Sequence, residues 1–589
     1  MIHAEMAIKS RTILGFTWLF GIAGIFVDAI SYDYTAITDC LAEPLKPQYD
    51  GGIIVNPEIN DGLKGWTTHG GVKIEPRVSE KGNNFIVAHS RKHHNGSVSQ
   101  KGFLLEKEKL YTFSAWIQIT GKRNMPVMVI FKTSEGFKPA GSVVAQVGCW
   151  SMLKGGITVE SSGPAELFFQ SNDTSIDILV DSVSLQPFTQ QEWKSHQDQS
   201  IEKVRKNKVR LQVLNSKGRA IPYANISIKQ NKANFPLGAS INYNIVNNAA
   251  YQNWFTSKFT VTTFENEMKW YSTENTPGKE DYSAADAMLG FTSRHGIPVR
   301  GHNIFWDDPK YQPAWVKNLS PNDLQIASNK RLNSIVTRYA GKVIAWDVNN
   351  ENLHFNFFES KLGENTTDVF FQKTQQLDGR TTLFINDYNT IEDERDPSSS
   401  PSKYIQKLKE IQSFVGGAIS LGIGLEGHFI TPNIPYVRSA IDTLASTKLP
   451  IWITELDVQG GSNQVTYFEQ ILREVHSHPG IQGIVIWGPW SPQGQCYKMC
   501  LVDPNFQNMP AGEVLDKLLG EWQHYKTFYA TTDSNGFFNI SLFHGDYEVK
   551  FLQQLHNTLE EQSSSYISQS FKVDAHSRDQ TFKIIAQEF

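Results

Sequence analysis

Three kinds of hydrophobic patterning follow one another along the chain. Between about residues 50 and 190, short apolar or alternating segments, YTFSAWIQI (111–119), MPVMVIFK (125–132), AELFFQ (165–170) and IDILVDSVSL (176–185), lie between Gly, Asn and Ser turns. Many short strands at this spacing predict a β-sandwich. Residues 191–208 are polar and charged and read as a linker. From 236 to 522, β-branched runs of strand length alternate with helix-period stretches such as 327–340, 402–415 and 465–478. The candidate strands fall at 237–245, 259–265, 299–306, 343–349, 381–387, 418–429, 450–458 and 483–490. Eight strands alternating with helices predict an α/β fold, a (β/α)8 TIM barrel.

Two smaller pieces flank the barrel. Residues 209–230 read as a strand, a Gly turn and a second strand, and 533–552 as a hairpin with turns at Asn535-Gly536 and Gly545-Asp546. Neither can bury a core alone. Segments 209–235 and 523–589 together resemble the halves of a transthyretin-like β-sandwich, which makes this small domain discontinuous with the barrel inserted in it. Two separate decorations on the barrel are the alternative.

Composition narrows the class. With 589 residues the chain calls for several domains, and 40% apolar and 12% aromatic residues are those of a globular protein. A net charge of −5 offers no basic footprint for nucleic acid or anionic membrane. Lys9 and Arg11 precede an apolar run from Thr12 to Val27 that reaches small residues at Ala29 and Ser31, which is the layout of a signal peptide over 1–29. A single-span anchor is the alternative, but a run of about sixteen residues is short for a span. Secretion to the extracellular space, with no membrane association after cleavage, is the expectation. Six sequons, at Asn95, Asn172, Asn225, Asn318, Asn365 and Asn539, agree with it. Four cysteines are too few for the fold to depend on them. Cys496 and Cys500 could close a small ring, leaving Cys40 with Cys149 by arithmetic. No Cys/His metal pattern is present, and HHN at 93–95 reads as a solvated turn.

Two glutamates carry the chemistry. Glu351 and Glu455 each stand where a buried, β-branched run stops, at the carboxyl end of candidate strands four and seven. In a (β/α)8 barrel this is the face on which active sites are built. Two carboxyl groups meeting there can cleave a glycosidic bond, one protonating the leaving oxygen and the other attacking the anomeric carbon. A lone acid at a strand end is more often a loop salt bridge, but the pair argues against that reading.

The motifs WDVNNE (346–351), ITELDV (453–458), ENEMKW (265–270), RGHNIFW (300–306), FINDYN (384–389) and GLEGHF (424–429) resemble, in order and position, glycoside hydrolase family 10, chiefly endo-β-1,4-xylanases. The N-terminal stretch resembles carbohydrate-binding module family 22, a jelly-roll-like sandwich, and the combination resembles the plant members. The resemblance implies Glu351 as general acid/base and Glu455 as nucleophile, about 5 to 5.5 Å apart for a retaining mechanism. It implies that His428, backed by Asp457, hydrogen-bonds the nucleophile and that Asn350 binds the 2-hydroxyl of the reacting sugar. Glu265, Asn266 and Lys269 resemble the set that grips the next sugar on the non-reducing side. His302, Trp306 and Trp487 resemble the walls of the reacting subsite. Aromatic faces suit the apolar C–H faces of sugars.

Three positions depart from the family pattern: Asp307 replaces a His, Glu426 stands where many members have Gln, and a Trp usual after strand eight is absent near Gln495, Cys496 and Tyr497. In the sandwich, Trp66, Tyr111, Trp116 and Trp150 are candidate sugar platforms, and Asp181 resembles an acid that binds structural calcium in related sandwiches. The catalytic chemistry needs no cofactor. The expected partner is xylan, either glucuronoxylan or arabinoxylan, and the expected state is a monomer. Two alternatives stay open: a xylan transglycosylase, and a xylan-binding wall protein with little turnover.

Overall fold

The computed structural model describes residues 30–417, 419–522, 526–554, 564–576 and 580–585. The signal-peptide reading of 1–29 falls outside them. No helix among the described residues is long and apolar enough to cross a membrane.

The barrel strands are β1 Leu237–Ile241, β2 Val261–Phe264, β3 Val299–Trp306, β4 Ala345–Asn350, β5 Thr382–Asp387, β6 Leu421–Leu425, β7 Ile451–Val458 and β8 Ile481–Ile486. Each runs parallel to its neighbours, and β8 pairs with β1, so the sheet closes. The candidate strand 418–429 is cut in two. After Leu425 the chain turns at Gly427, at φ 87°, and resumes as the pair His428–Phe429 beside Asp457 and Val458. A side chain at Gly427 would also meet Ile453, with Cβ 3.0 Å from it. This break lifts His428 to the barrel mouth.

The segment read as a linker is a helix, Gln190–Val204, which corrects the reading of 191–208. Thr189 and Glu192 form a capping box at its start. Trp193, His196, Gln197 and Ser200 form its buried face at helical spacing. Three of these four are polar, so the face carries little hydrophobic signal; Trp193, Gln197 and Ser200 find partners on the barrel, and His196 lies edge-on to Phe188. Trp193 Nε1 and Gln197 Nε2 donate to Glu474 Oε2 at 2.8 and 2.9 Å, and Arg438 pairs with the same carboxylate at 2.5 Å.

The N-terminal sandwich has two five-stranded antiparallel sheets over Trp66–Thr189. The outer face of the sheet holding Lys109–Ile119 and Ser151–Ile157 is closed from two sides. The segment 33–52 runs across it, fixed by the Cys40–Cys149 disulfide and the Leu41–Trp150 backbone pair. Trp116 and Trp150 lie beneath it with Ile37 and Leu41. Barrel helix Ile434–Ala445 packs on the rest. Lys154 Nζ meets Asp442 Oδ2 at 2.7 Å, His478 Nε2 meets Oδ1 at 2.9 Å, and all three side chains are buried. Gly156 is needed at this contact, because a Cβ there would stand 2.4 Å from Pro435. Trp66 and Tyr111 belong to the inter-sheet core. None of the four candidate aromatics therefore offers a face to a sugar.

Asp181 is buried at a bulge in the strand Ile178–Thr189. Asn83 Nδ2 and the Ser182 N–H donate to its two oxygens at 2.9 and 2.6 Å. Burial, with Glu58 and Glu43 near, pushes the carboxyl up to about 7.

The barrel's two flanks share sheets. Strand Lys206–Leu214 lies between Phe537–Phe543 and Gln580–Ile585, and Asn225–Ala233 lies between Thr527–Thr531 and Gly545–Gln554, with Ser564–Val573 beyond. Val209, Leu211, Val213, Ile226 and Ile228 meet Leu542, Val549, Phe571 and Ile584 in one core.

Candidate active site

The carboxyl ends of the strands surround a cavity of about 870 Å³. Glu265, Asn266, Lys269, His302, Trp306, Asn350, Glu351, His428, Glu455 and Trp487 all line it. Glu351 is the residue after β4. Its φ of 58° is in the left-handed region, which costs roughly 1–2 kcal/mol for a residue with a Cβ. Its N–H donates to Asn386 O at 2.8 Å, which holds that turn. Glu455 lies inside β7, its N–H on Glu426 O at 2.8 Å. Its carboxylate faces donors from several strands: Asn386 Nδ2 from β5 at 3.0 Å, His302 Nε2 from β3 at 3.8 Å and His428 Nε2 at 3.7 Å.

Behind these donors stands a buried layer of acids. Asp457 Oδ1 is 2.9 Å from His428 Nδ1, and Asp347 Oδ2 is 2.9 Å from His302 Nδ1 while Oδ1 accepts from Arg300 at 2.7 Å. Each imidazole is thereby turned so that Nε2 faces Glu455. Lys269 Nζ sits 4.6 Å from the Trp306 ring centre and 5.6 Å from that of Trp487.

The two central carboxyls are driven apart. Burial, and then the charges of Asp387 and Glu455, push Glu351 up to about 8. Burial would push Glu455 up too, but His302, His428 and Lys269 outweigh it and hold the carboxyl well below the usual range. Burial alone would lower His428, yet its contacts with Asp457, Glu426 and Glu455 raise it well above the usual imidazole range. Glu265, next to Asn242 and Ser240, is raised to about 7 by burial and by Glu267. The neighbours thus favour a proton on Glu351 and a negative charge on Glu455, the division that acid-assisted nucleophilic displacement requires.

The departures occupy different places. Asp307 does not reach the cavity; it is buried, accepts the Phe358 N–H at 3.0 Å, and burial raises it to about 7. Glu426 does reach it. Cys496 and Cys500 are bonded, and the five-residue ring carries Tyr497 to the rim, edge-on to His428 with ring centres 5.6 Å apart. Sequence reasoning missed Asn386, whose Nδ2 is within reach of Asn350, Glu426 and Glu455 at once. It also missed His354, clamped between Asp387 and Asp396 at 2.5 and 2.9 Å and stacked on Tyr388. A polar residue inside an apolar strand run was the available signal for Asn386.

Residues 227–517 match the model of glycosyl hydrolase family 10, and residues 51–172 that of a carbohydrate binding domain. Endo-1,4-beta-xylanase 5 of Arabidopsis thaliana is 40% identical over 543 residues, covering 90% of this chain and 91% of that protein. Endo-1,4-beta-xylanase 4 of the same plant is 37% identical over 565 residues, covering 93% and 92%. Among solved structures, a Clostridium thermocellum endo-1,4-beta-D-xylanase 10B fragment complexed with xylohexaose aligns with a TM-score of 0.40 at 15% identity, over 79% of this chain and 97% of that one. The chain belongs to glycosyl hydrolase family 10.

Proposed function

We propose that the protein is a secreted, retaining endo-β-1,4-xylanase acting on internal bonds of plant cell-wall xylan. The observation that carries this is the meeting of Glu351 and Glu455 in one cavity at the carboxyl ends of β4 and β7, with Asn386, His302 and His428 facing the Glu455 carboxylate. The names of the Arabidopsis relatives support xylan as substrate. In the first step Glu455 attacks the anomeric carbon while Glu351 gives its proton to the leaving oxygen, forming a covalent glycosyl-enzyme. In the second, Glu351 takes a proton from water, which displaces Glu455. In this reading Asn350, beside Glu351, binds the reacting sugar's 2-hydroxyl. Lys269, Glu265 and Asn266, which line the same cavity, grip the next sugar in this reading, and Trp306 and Trp487 pack on apolar sugar faces. Every group the two steps use is a side chain of this chain.

The test is product analysis by mass spectrometry after incubation with xylohexaose in 18O-labelled water, with Glu455→Ala as control. Labelled short xylo-oligosaccharides, absent from the control, are expected. Products longer than the substrate would move the reading to transglycosylation. No products on xylohexaose or polymeric xylan would overturn it.

A further inference from the structure

Glu426 and the nucleophile compete for the same donors. Asn386 Nδ2 is 3.0 Å from Glu455 Oε1, 3.3 Å from Glu426 Oε1 and 2.9 Å from Asn350 Oδ1. His428 Nε2 is 3.3 Å from Glu426 Oε2 and 3.7 Å from Glu455 Oε2. The amide nitrogen carries two hydrogens and the imidazole nitrogen one. Those three hydrogens face Asn350 and all four oxygens of two buried carboxyls, Glu426 at 2% and Glu455 at 6% exposure. Two carboxylates in such a setting cannot both ionise cheaply.

The surroundings decide which one keeps a proton. Glu455 has His302 at 3.8 Å and is held down by Lys269, whereas Glu426 faces His428 alone as a close cation and is burdened by Glu455 and Glu351. Lys269 acts on both from farther off; Tyr388, Tyr404 and Tyr497 also stand near Glu426, Asp457 lies behind His428, and Glu392 accepts the N–H groups of Gly427 and His428. We propose that Glu426 is a positioning residue that keeps its own proton and so leaves His428 and Asn386 to the nucleophile. This rests on the glycosidase reading above. Ionising Glu426 draws the single His428 Nε2 hydrogen to the shorter contact and adds a second negative charge beside that of Glu455. Glu455 then loses its orientation, and Glu351 holds its proton more tightly, which makes it a weaker acid. The resting site accordingly needs two protons, one on Glu351 and one on Glu426. A neutral amide at 426 supplies the second condition at every pH.

The test compares the wild type with Glu426→Gln and Glu426→Asp on xylohexaose across pH. The ratio of kcat/KM at about pH 8 to that at about pH 5.5 is expected to rise at least about fivefold in Glu426→Gln and not in Glu426→Asp. An unchanged ratio in a Glu426→Gln protein with wild-type thermal unfolding would overturn the proposal. A second readout needs no substrate. The infrared difference between wild type and Glu426→Gln at about pH 6 should show loss of the carbonyl stretch of a protonated carboxylic acid. Loss of an ionised carboxylate band instead would overturn the proposal. If the wild type cleaves no xylohexaose at any pH, the xylan reading fails and the infrared comparison alone decides for or against Glu426.

Discussion

Glu351 and Glu455 are chemically identical side chains whose roles are divided entirely by neighbours, and that makes the pH response of the site specific. Raising the folded value of Glu351 means that its acid form persists as pH rises, so the alkaline limb of kcat/KM is expected well above the ordinary carboxyl range, near the value of about 8 set by burial and like charge. Depressing Glu455 means that its anion persists as pH falls, so the acid limb should lie below that range. A pH profile on xylohexaose checks both limbs, and an alkaline limb near pH 4 would contradict the assignment. Glu351→Ala should lower kcat on xylan by about 10²–10⁴-fold, and far less on an aryl xylobioside whose leaving group needs no proton. Steady-state kinetics on the two substrates measures the difference. Both glutamates were legible in the sequence because each ends an apolar strand run. The donors shared by Glu426 and Glu455 were not, because that sharing exists only once β5, β6 and β7 stand side by side.

At the scale of elements, the sandwich is built into the barrel's side. The pair Lys154–Asp442 is out of water, so removing Lys154 takes one of two cationic partners, the other being His478, from a buried carboxylate. Lys154→Ala should cost about 3–5 kcal/mol, and Lys154→Met with Asp442→Leu less than the sum of the single changes. Denaturant unfolding of the wild type, Lys154→Ala, the two single changes of the cycle and the double variant is the check. Asp442 is buried, which pushes its carboxyl up, but Lys154 and His478 outweigh this and hold it below its usual value. A depressed folded value contributes stability that is present at neutral pH and lost as pH falls through it. The double variant should therefore unfold with a shallower loss of stability toward acid. The sequence hid this junction for a physical reason. Helix Gln190–Val204 and segment 33–52 bury polar side chains against specific partners, and neither leaves an apolar period to read.

The whole molecule is a barrel threaded through a smaller domain. That nesting was visible as two incomplete β pieces, although the strand Gln580–Ile585, which runs parallel to Lys206–Leu214, was not distinguished. A chain ending near residue 522 keeps every cavity residue but leaves Val209, Leu211 and Ile226 without their cover. It is expected to elute as aggregates in size-exclusion chromatography and to unfold at lower temperature than the full chain. Monodisperse behaviour would show that the small domain is dispensable.

The same nesting imposes an order on birth. Ala233 and Thr527 are separated by roughly 290 residues, so at a ribosomal rate of about 5–20 residues per second the first half of the small domain waits roughly 15–60 s for its partner strands. During that interval the strand Lys206–Leu214 is an unpaired edge in a crowded compartment. Its sequence, KNKVRLQVL, sets Lys206, Lys208 and Arg210 on alternate positions, and such charges deter pairing with stray strands. Those three residues therefore have a task in the nascent chain besides their contacts in the finished one, where Lys206 meets Glu202 and Phe543 and Arg210 lies over Phe537. Replacing them with threonine should lower the yield of folded protein during expression while leaving the specific activity of what does fold unchanged.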